Sequence, residues 1–296
     1  MRANRRSAAG GGNDAGVHRA LLAEGFGFVE GPRWHDGRLV FSDMGSKQVL
    51  TVDLDGAVEE VCVVEGRPSG IGWLPDGRML VVSMNDRSIV RLEADGRLAE
   101  HADLSGLVSA PCNDMVVDRR GNAYVGNPGY DMRNPPSPLP AAELVLVRPD
   151  GSAEVVDRSV LFPNGPAVTP DGRTLIVAET MGRRLSAFDI GDDGTLSNRR
   201  TYADLPGRAP DGIALDAEGA VWVADATGNA CVRVREGGEI TDVVDTGRGC
   251  FACAVGGPDR KTLFLLTGEG FSGDAIRKRT GAIETIDIAV PGAGLP

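Results

Sequence analysis

Four oxygen-bearing side chains, Glu30, Asn113, Asn164 and Asp211, occupy one recurring place in this sequence. Each stands just before a short run of alternating apolar residues that leads into a turn: EGPRWHDGRLVFSD, NDMVVDRRGNAYVGN, NGPAVTPDGRTLIVAE and DGIALDAEGAVWVAD. Two further copies put Ser69 (SGIGWLPDGRMLVVSM) and Phe251 or Ala252 (ACAVGGPDRKTLFLLT) at the same place. Two carboxylates and two amides form a hard-donor set suited to Ca2+ or Mg2+, with Mn2+ admissible. No histidine or cysteine belongs to the set, although Cys112 neighbours it, so Zn2+ is less well matched. Crowding Glu30 against Asp211 away from water costs several kcal/mol unless a cation or hydrogen bonds compensate. Taken singly, Asn164 in P-N-G or Asp211 in P-D-G reads as a turn residue. Four oxygen donors at equivalent positions read as a site.

The elements that position them follow from the repeat. The turns fall at Gly37, Gly77, Gly121, Gly172, Gly219 and Arg260, so the spacings are 40, 44, 51, 47 and 41 residues. Each unit continues into a third strand such as VLTVDLDG or LVLVRPDG, and most into a fourth such as VEEVCVV. Four short strands per unit of this length is the period of a propeller blade. The sequence therefore predicts an all-β fold, a six-bladed β-propeller, whose six equivalent positions ring the central channel at one end. The segment HRALLAEGFGF, 18–28, precedes the first blade and is predicted to supply a strand that closes the last one. Strands one and two of a blade run antiparallel, so the end of strand two lies on the same face as the start of strand one. That adds Asp43, Asn127, Glu179 and Asp225 as contacts around the site or to the substrate. The longest spacing contains NPGYDMRNPPSPLP, 127–140, which should overhang this face.

Composition bounds the rest. The chain has 296 residues, 42% hydrophobic and 25% charged, with 41 glycines and 18 prolines, as expected of a globular fold rich in tight turns. A formal charge of −11 argues against a nucleic-acid or anionic-membrane partner. No apolar run approaches the ~20 residues of a membrane span. Residues 1–15 carry three arginines with no apolar stretch behind them; they are expected to form a disordered arm rather than a secretory signal. Residues 16–296 are expected to form one propeller domain. Five scattered cysteines do not make a disulfide framework, and Cys250-x-x-Cys253 has no second pair or histidine near it in sequence. These cysteines are expected to be buried small hydrophobes in a cytoplasmic protein. A small-molecule substrate and a monomer or weak homo-oligomer complete the expectation.

On VEGPRW around Glu30, CNDMVVDRRGNAYVGN around Asn113, PNGPAVTPDGRTLIVAET around Asn164 and APDGIALDAEGAVWVAD around Asp211, residues 20–290 resemble the regucalcin–gluconolactonase (senescence marker protein, LRE-like) family. The resemblance implies a metal-dependent lactonase that opens a sugar lactone or another small lactone. It implies Glu30, Asn164 and Asp211 as direct ligands of one divalent ion, Ca2+ favoured over Mg2+, Mn2+ or Zn2+. Asn113 would be a ligand or would hold a water or the substrate, and Asp211 would also be the general base. Asn113, Asn127, Ser69 and Glu179 are then the expected substrate contacts. The quartet equally resembles that of calcium-dependent phosphofluoridate hydrolases. A specialised-pathway enzyme on this scaffold and a non-catalytic calcium-binding propeller are further alternatives. One departure stands out: some animal members carry a substrate-binding arginine where this chain has Pro111. No serine–histidine–aspartate set competes, because His18 lies in the closing segment, His35 at a turn and His101 in an outer strand.

Overall fold

The computed structural model describes residues 19–294. The 1–15 arm and His18 lie outside them. Six four-stranded antiparallel sheets follow one another along the chain, each a simple meander from an inner to an outer strand. The inner strands are Val29–His35, Pro68–Trp73, Met115–Val117, Pro163–Val168, Pro210–Leu215 and Gly249–Gly256. The sixth sheet takes its outermost strand, Ala20–Phe26, from the beginning of the described chain, where it pairs with Gly281–Asp287. The ring is closed by main-chain hydrogen bonds between its two ends, as the leftover N-terminal segment predicts.

Along the inner and second strands of the blades both alternating faces are buried, whereas the outermost strands are largely exposed. The physical reason is that each blade packs on a neighbour on either side. The core is accordingly divided into six clusters, one at each junction between blades. Ile71, Met79 and Val81 pack on Val40, Val49 and Val64 between blades 1 and 2. Phe26, Phe41 and Leu50 pack on Ala252, Phe264 and Leu266 where blade 6 meets blade 1. All five cysteines are free and buried, and Cys231, Cys250 and Cys253 share the cluster between blades 5 and 6. Among the described residues, no helix is long and apolar enough to cross a membrane.

The inner strands share a device that the repeat does not announce. Directly after the ring position, strand one gains one residue on strand two: Glu30 pairs with Ser42, yet Arg33 pairs with Val40. The same single-residue slip falls between Pro68 and Ile71, Pro163 and Pro166, Pro210 and Ile213, and Cys250 and Ala252. A bulge re-aims a side chain, and here it turns the ring residue toward the channel. Glycine follows the ring residue in four blades because the neighbouring inner strand passes too close for a side chain. A Cβ on Gly31 (φ +57°) would lie 2.5 Å from Ser69 O, and one on Gly165 would lie 2.6 Å from Asp211 O. Blade 6 departs from the pattern with a short helix, Gly273–Arg277, between its second and third strands.

Candidate functional site

The bulged inner strands carry Glu30, Asn164 and Asp211, and Asn113, two residues before the unbulged inner strand of blade 3, joins them through Asn164. Asn113 Nδ2 donates to Asn164 Oδ1 at 2.9 Å, Asn164 Nδ2 donates to Thr180 Oγ1 at 3.1 Å, and Thr180 Oγ1 donates to Pro210 O at 2.8 Å. This chain of hydrogen bonds runs from blade 3 to the strand that carries Asp211 and fixes both amide planes. Ser69 Oγ sits 3.5 Å from Asn113 Oδ1, at the outer limit of a hydrogen bond. Glu30 accepts from its neighbour Gly31 N at 3.1 Å. Phe251 fills the sixth place and packs on Phe28, ring centroids 4.8 Å apart.

Electrostatically the ring is under-compensated. Glu30 and Asp211 are 5% and 7% exposed. Burial pushes the Glu30 carboxyl well above the ordinary carboxylate range, and the charges of Asp211 and Asp114 push it further, against the Gly31 N–H. Burial, then Asp114, pushes Asp211 in the same direction, with only the Asn164 amide opposing. Among the described residues four buried side-chain polar atoms lack a hydrogen-bond partner, and the one carboxylate oxygen among them is Asp211 Oδ1. Leaving such an atom bare is costly, which makes it the clearest sign of a ligand position in the channel. Glu30, Asp211, Asn164 and Asn113 are the donors that converge. Among the described residues no group of three or more histidine, cysteine, aspartate or glutamate side chains is arranged to hold a metal ion.

The strand-two set has a different role. Glu179 and Asn127, expected at the substrate, are fully buried with their polar atoms engaged elsewhere. Glu179 accepts from Leu161 N at 2.8 Å, from Arg184 Nε at 3.0 Å, and from Ser186 and Arg199. Asn127 donates to Glu143 O and accepts from Gly129 N, both at 2.9 Å. Asp43 accepts from the main-chain N–H groups of Gly27, Phe28, Gly45 and Ser46, and Asp225 from those of Ala209, Thr227 and Gly228. Asp43, Glu179 and Asp225 clasp the loops that lead into the inner strands, and Asn127 ties the start of the long blade 3 loop to the third strand. They position the ring and do not reach into it.

Two groups escaped the sequence reading. Asp114 follows Asn113 where blades 1, 2, 4 and 5 have glycine, and it is buried with Arg33 at 3.2 Å. The broken glycine pattern was the available signal. Thr180, which holds Asn164 in place, had none. The long blade 3 loop leaves its blade on the ring face as expected, exposed over residues 131–138. It is tied down by Tyr130, whose ring lies edge-on to Phe162 at 6.3 Å, two residues before Asn164.

Comparison with known proteins agrees with the fold and shows the family. Residues 28–269 match the model of the SMP-30/gluconolactonase/LRE-like region. Pentonolactonase XacC of Haloferax volcanii is 27% identical over 278 residues, covering 89% of this chain and 91% of that protein. Regucalcin of Danio rerio is 27% identical over 284 residues, covering 90% and 92%. The solved structure of a calcium-binding protein, regucalcin, of Agrobacterium tumefaciens shares the fold, with a TM-score of 0.79 at 21% identity, covering 95% of this chain and 97% of that one. Lactone hydrolysis is an activity found among these relatives. The chain belongs to the SMP-30/gluconolactonase/LRE-like family.

Proposed function

We propose that this chain is a metal-dependent lactonase that opens a small lactone, a sugar lactone or another of similar size, to its hydroxy acid. The observation that carries the reading is the bare Asp211 Oδ1, buried in a ring that also holds Glu30 and the amides of Asn113 and Asn164. Two carboxylates balance a divalent charge, and the oxygens of Asn164 and Asn113 add neutral donors, a set that favours Ca2+. A solved structural relative named as calcium-binding supports the same choice. When bound, the cation supplies Lewis-acid polarisation of the lactone carbonyl and stabilises the charge that develops on its oxygen.

The chain's own residues do the rest. Asp211 takes a proton from water as the water oxygen bonds to the carbonyl carbon. The ring C–O bond then breaks, and the proton passes to the leaving alkoxide, giving the hydroxy acid. Asn113, half-buried at the rim, and Ser69 beside it orient the substrate.

The test is an assay on protein stripped with EDTA and reloaded with Ca2+, Mg2+, Mn2+ or Zn2+. Its substrates are aldonolactones, aromatic lactones, simple esters and phosphotriesters. Hydrolysis of a lactone, lost on stripping and restored by Ca2+, is the expected result. Turnover of phosphotriesters alone would reassign the reaction. Cation binding with no turnover of any class would leave a calcium-binding propeller without catalysis.

A further inference from the structure

Below the ring one charged side chain crosses the channel. Arg33 lies three residues past Glu30, and the positions three past the other ring residues are Gly72, Val116, Ala167, Ala214 and Ala254. No other blade puts a charge there, and the small side chains leave room for a long one. The guanidinium reaches from blade 1 past blade 2 to blade 3. Its Nη2 lies 3.2 Å from Asp114 Oδ1 and donates to Met115 O, and its Nη1 donates to Pro32 O at 2.8 Å. The Arg33 and Asp114 side chains are only 7% and 5% exposed.

The surroundings of Asp114 match this pairing. Its Oδ1 also accepts from Met115 N at 2.8 Å. A Cβ on Gly70, in the adjacent blade, would come within 2.8 Å of that same oxygen, so the glycine makes the space into which the carboxylate turns. Asp114 is close enough for its charge to be felt at both Glu30 and Asp211. The three acids nevertheless do not form a single cluster arranged around one ion.

We propose that Arg33 is a positioning residue that holds Asp114 off the ring, so that the channel offers a cation two carboxylates and not three; this rests on the metal-site reading above. Two carboxylates neutralise a divalent ion, whereas a third would favour an ion of higher charge, because ligand charge count tunes affinity at oxygen sites. Without Arg33 the Asp114 carboxylate would be buried and unpaired, and a cation in the ring would be its nearest compensation. Arg33 thereby sets the valence of the site.

Isothermal titration of the stripped full-length protein with Ca2+ and with Tb3+ tests this without reference to activity. In Arg33→Met the preference for Tb3+ over Ca2+ should rise at least ~10-fold. Arg33→Gln, which keeps a donor for Met115 O, serves the same purpose if the methionine variant does not fold. In the double variant Arg33→Met/Asp114→Asn, with no buried charge left over, the preference should return to within about three-fold of the original. An unchanged preference in both single variants, or a raised one that survives the loss of Asp114, overturns the role given to Arg33. An unmodified protein that binds none of Ca2+, Mg2+, Mn2+ and Zn2+ overturns the metal reading itself, and the assignment falls with it.

Discussion

Two sets of buried carboxylates lie within a strand's length of each other and differ in what meets them. Asp43, Glu179 and Asp225, at the ends of second strands, are at most 1% exposed, and each accepts three or more hydrogen bonds. Glu30 and Asp211, at the starts of inner strands, are buried almost as deeply. Glu30 has one main-chain donor, and one oxygen of Asp211 has none. Burial alone would class all five together. The distinction is satisfaction: an acid surrounded by fixed donors stabilises the fold, whereas an acid buried without them costs stability until something positive arrives.

The sharpest way to break this comparison is to exchange the two behaviours. Asp211→Asn should lower kcat for the lactone by about 1,000-fold, the size of a lost general base, and abolish Ca2+ uptake. The melting temperature of its metal-free form should stay level or rise, because a repelled, buried charge is removed. Calorimetry in EDTA beside an activity assay reads both. A large drop in that melting temperature would place Asp211 with the clasps.

Glu179→Ala should do the opposite. It takes the shared acceptor away from Leu161 N, Ser186, Arg184 and Arg199 at once. Both arginines are a quarter to a third exposed and can turn to water, which limits the loss to about 2–3 kcal/mol. Urea unfolding measures it. Turnover by the fraction that remains folded should be preserved. A loss of kcat with unchanged stability would return Glu179 to the substrate.

This contrast also marks how far the sequence could be read. Six turns at near-constant spacing made the propeller and its closure legible, because every blade needs the same hairpins and the same two apolar faces. Glu30, Asn113, Asn164 and Asp211 were legible because equivalence in a repeat is equivalence in space around an axis. The roles of Asn127 and Glu179 were not. Strand pairing places a residue at one end of a blade, but whether its side chain turns to the channel or to the incoming loop depends on donors far along the chain, such as Arg199 for Glu179. Arg33 and Asp114 were hidden for a related reason: they are 81 residues apart and meet only because the channel is narrow.

The smallest expected effect is the most discriminating, because Glu30 and Asp211 should answer pH with a sign opposite to that of Glu179. Glu30 and Asp211 have folded-state pKa values raised above the ordinary carboxylate range, chiefly by burial. A raised group contributes stability below its unfolded pKa and loses it as pH climbs through the folded one. Glu179 is held below its ordinary value: burial opposes this, but its bonds to Arg184, Ser186, Leu161 N and Arg199 prevail. Its contribution is present above the ordinary value and is lost as pH falls through the lowered one. The windows therefore separate. Metal-free protein taken upward from the ordinary carboxylate range should melt progressively earlier, on the order of 2 °C per ring carboxylate. Saturating Ca2+ should reverse that slope, because the ionised ring is the form that holds a cation. The double variant Glu30→Gln/Asp211→Asn should flatten it while leaving the acid-side loss in place. If the upward slope survived in the double variant, the strain would reside outside the ring, and the distinction between bare and clasped acids would fail.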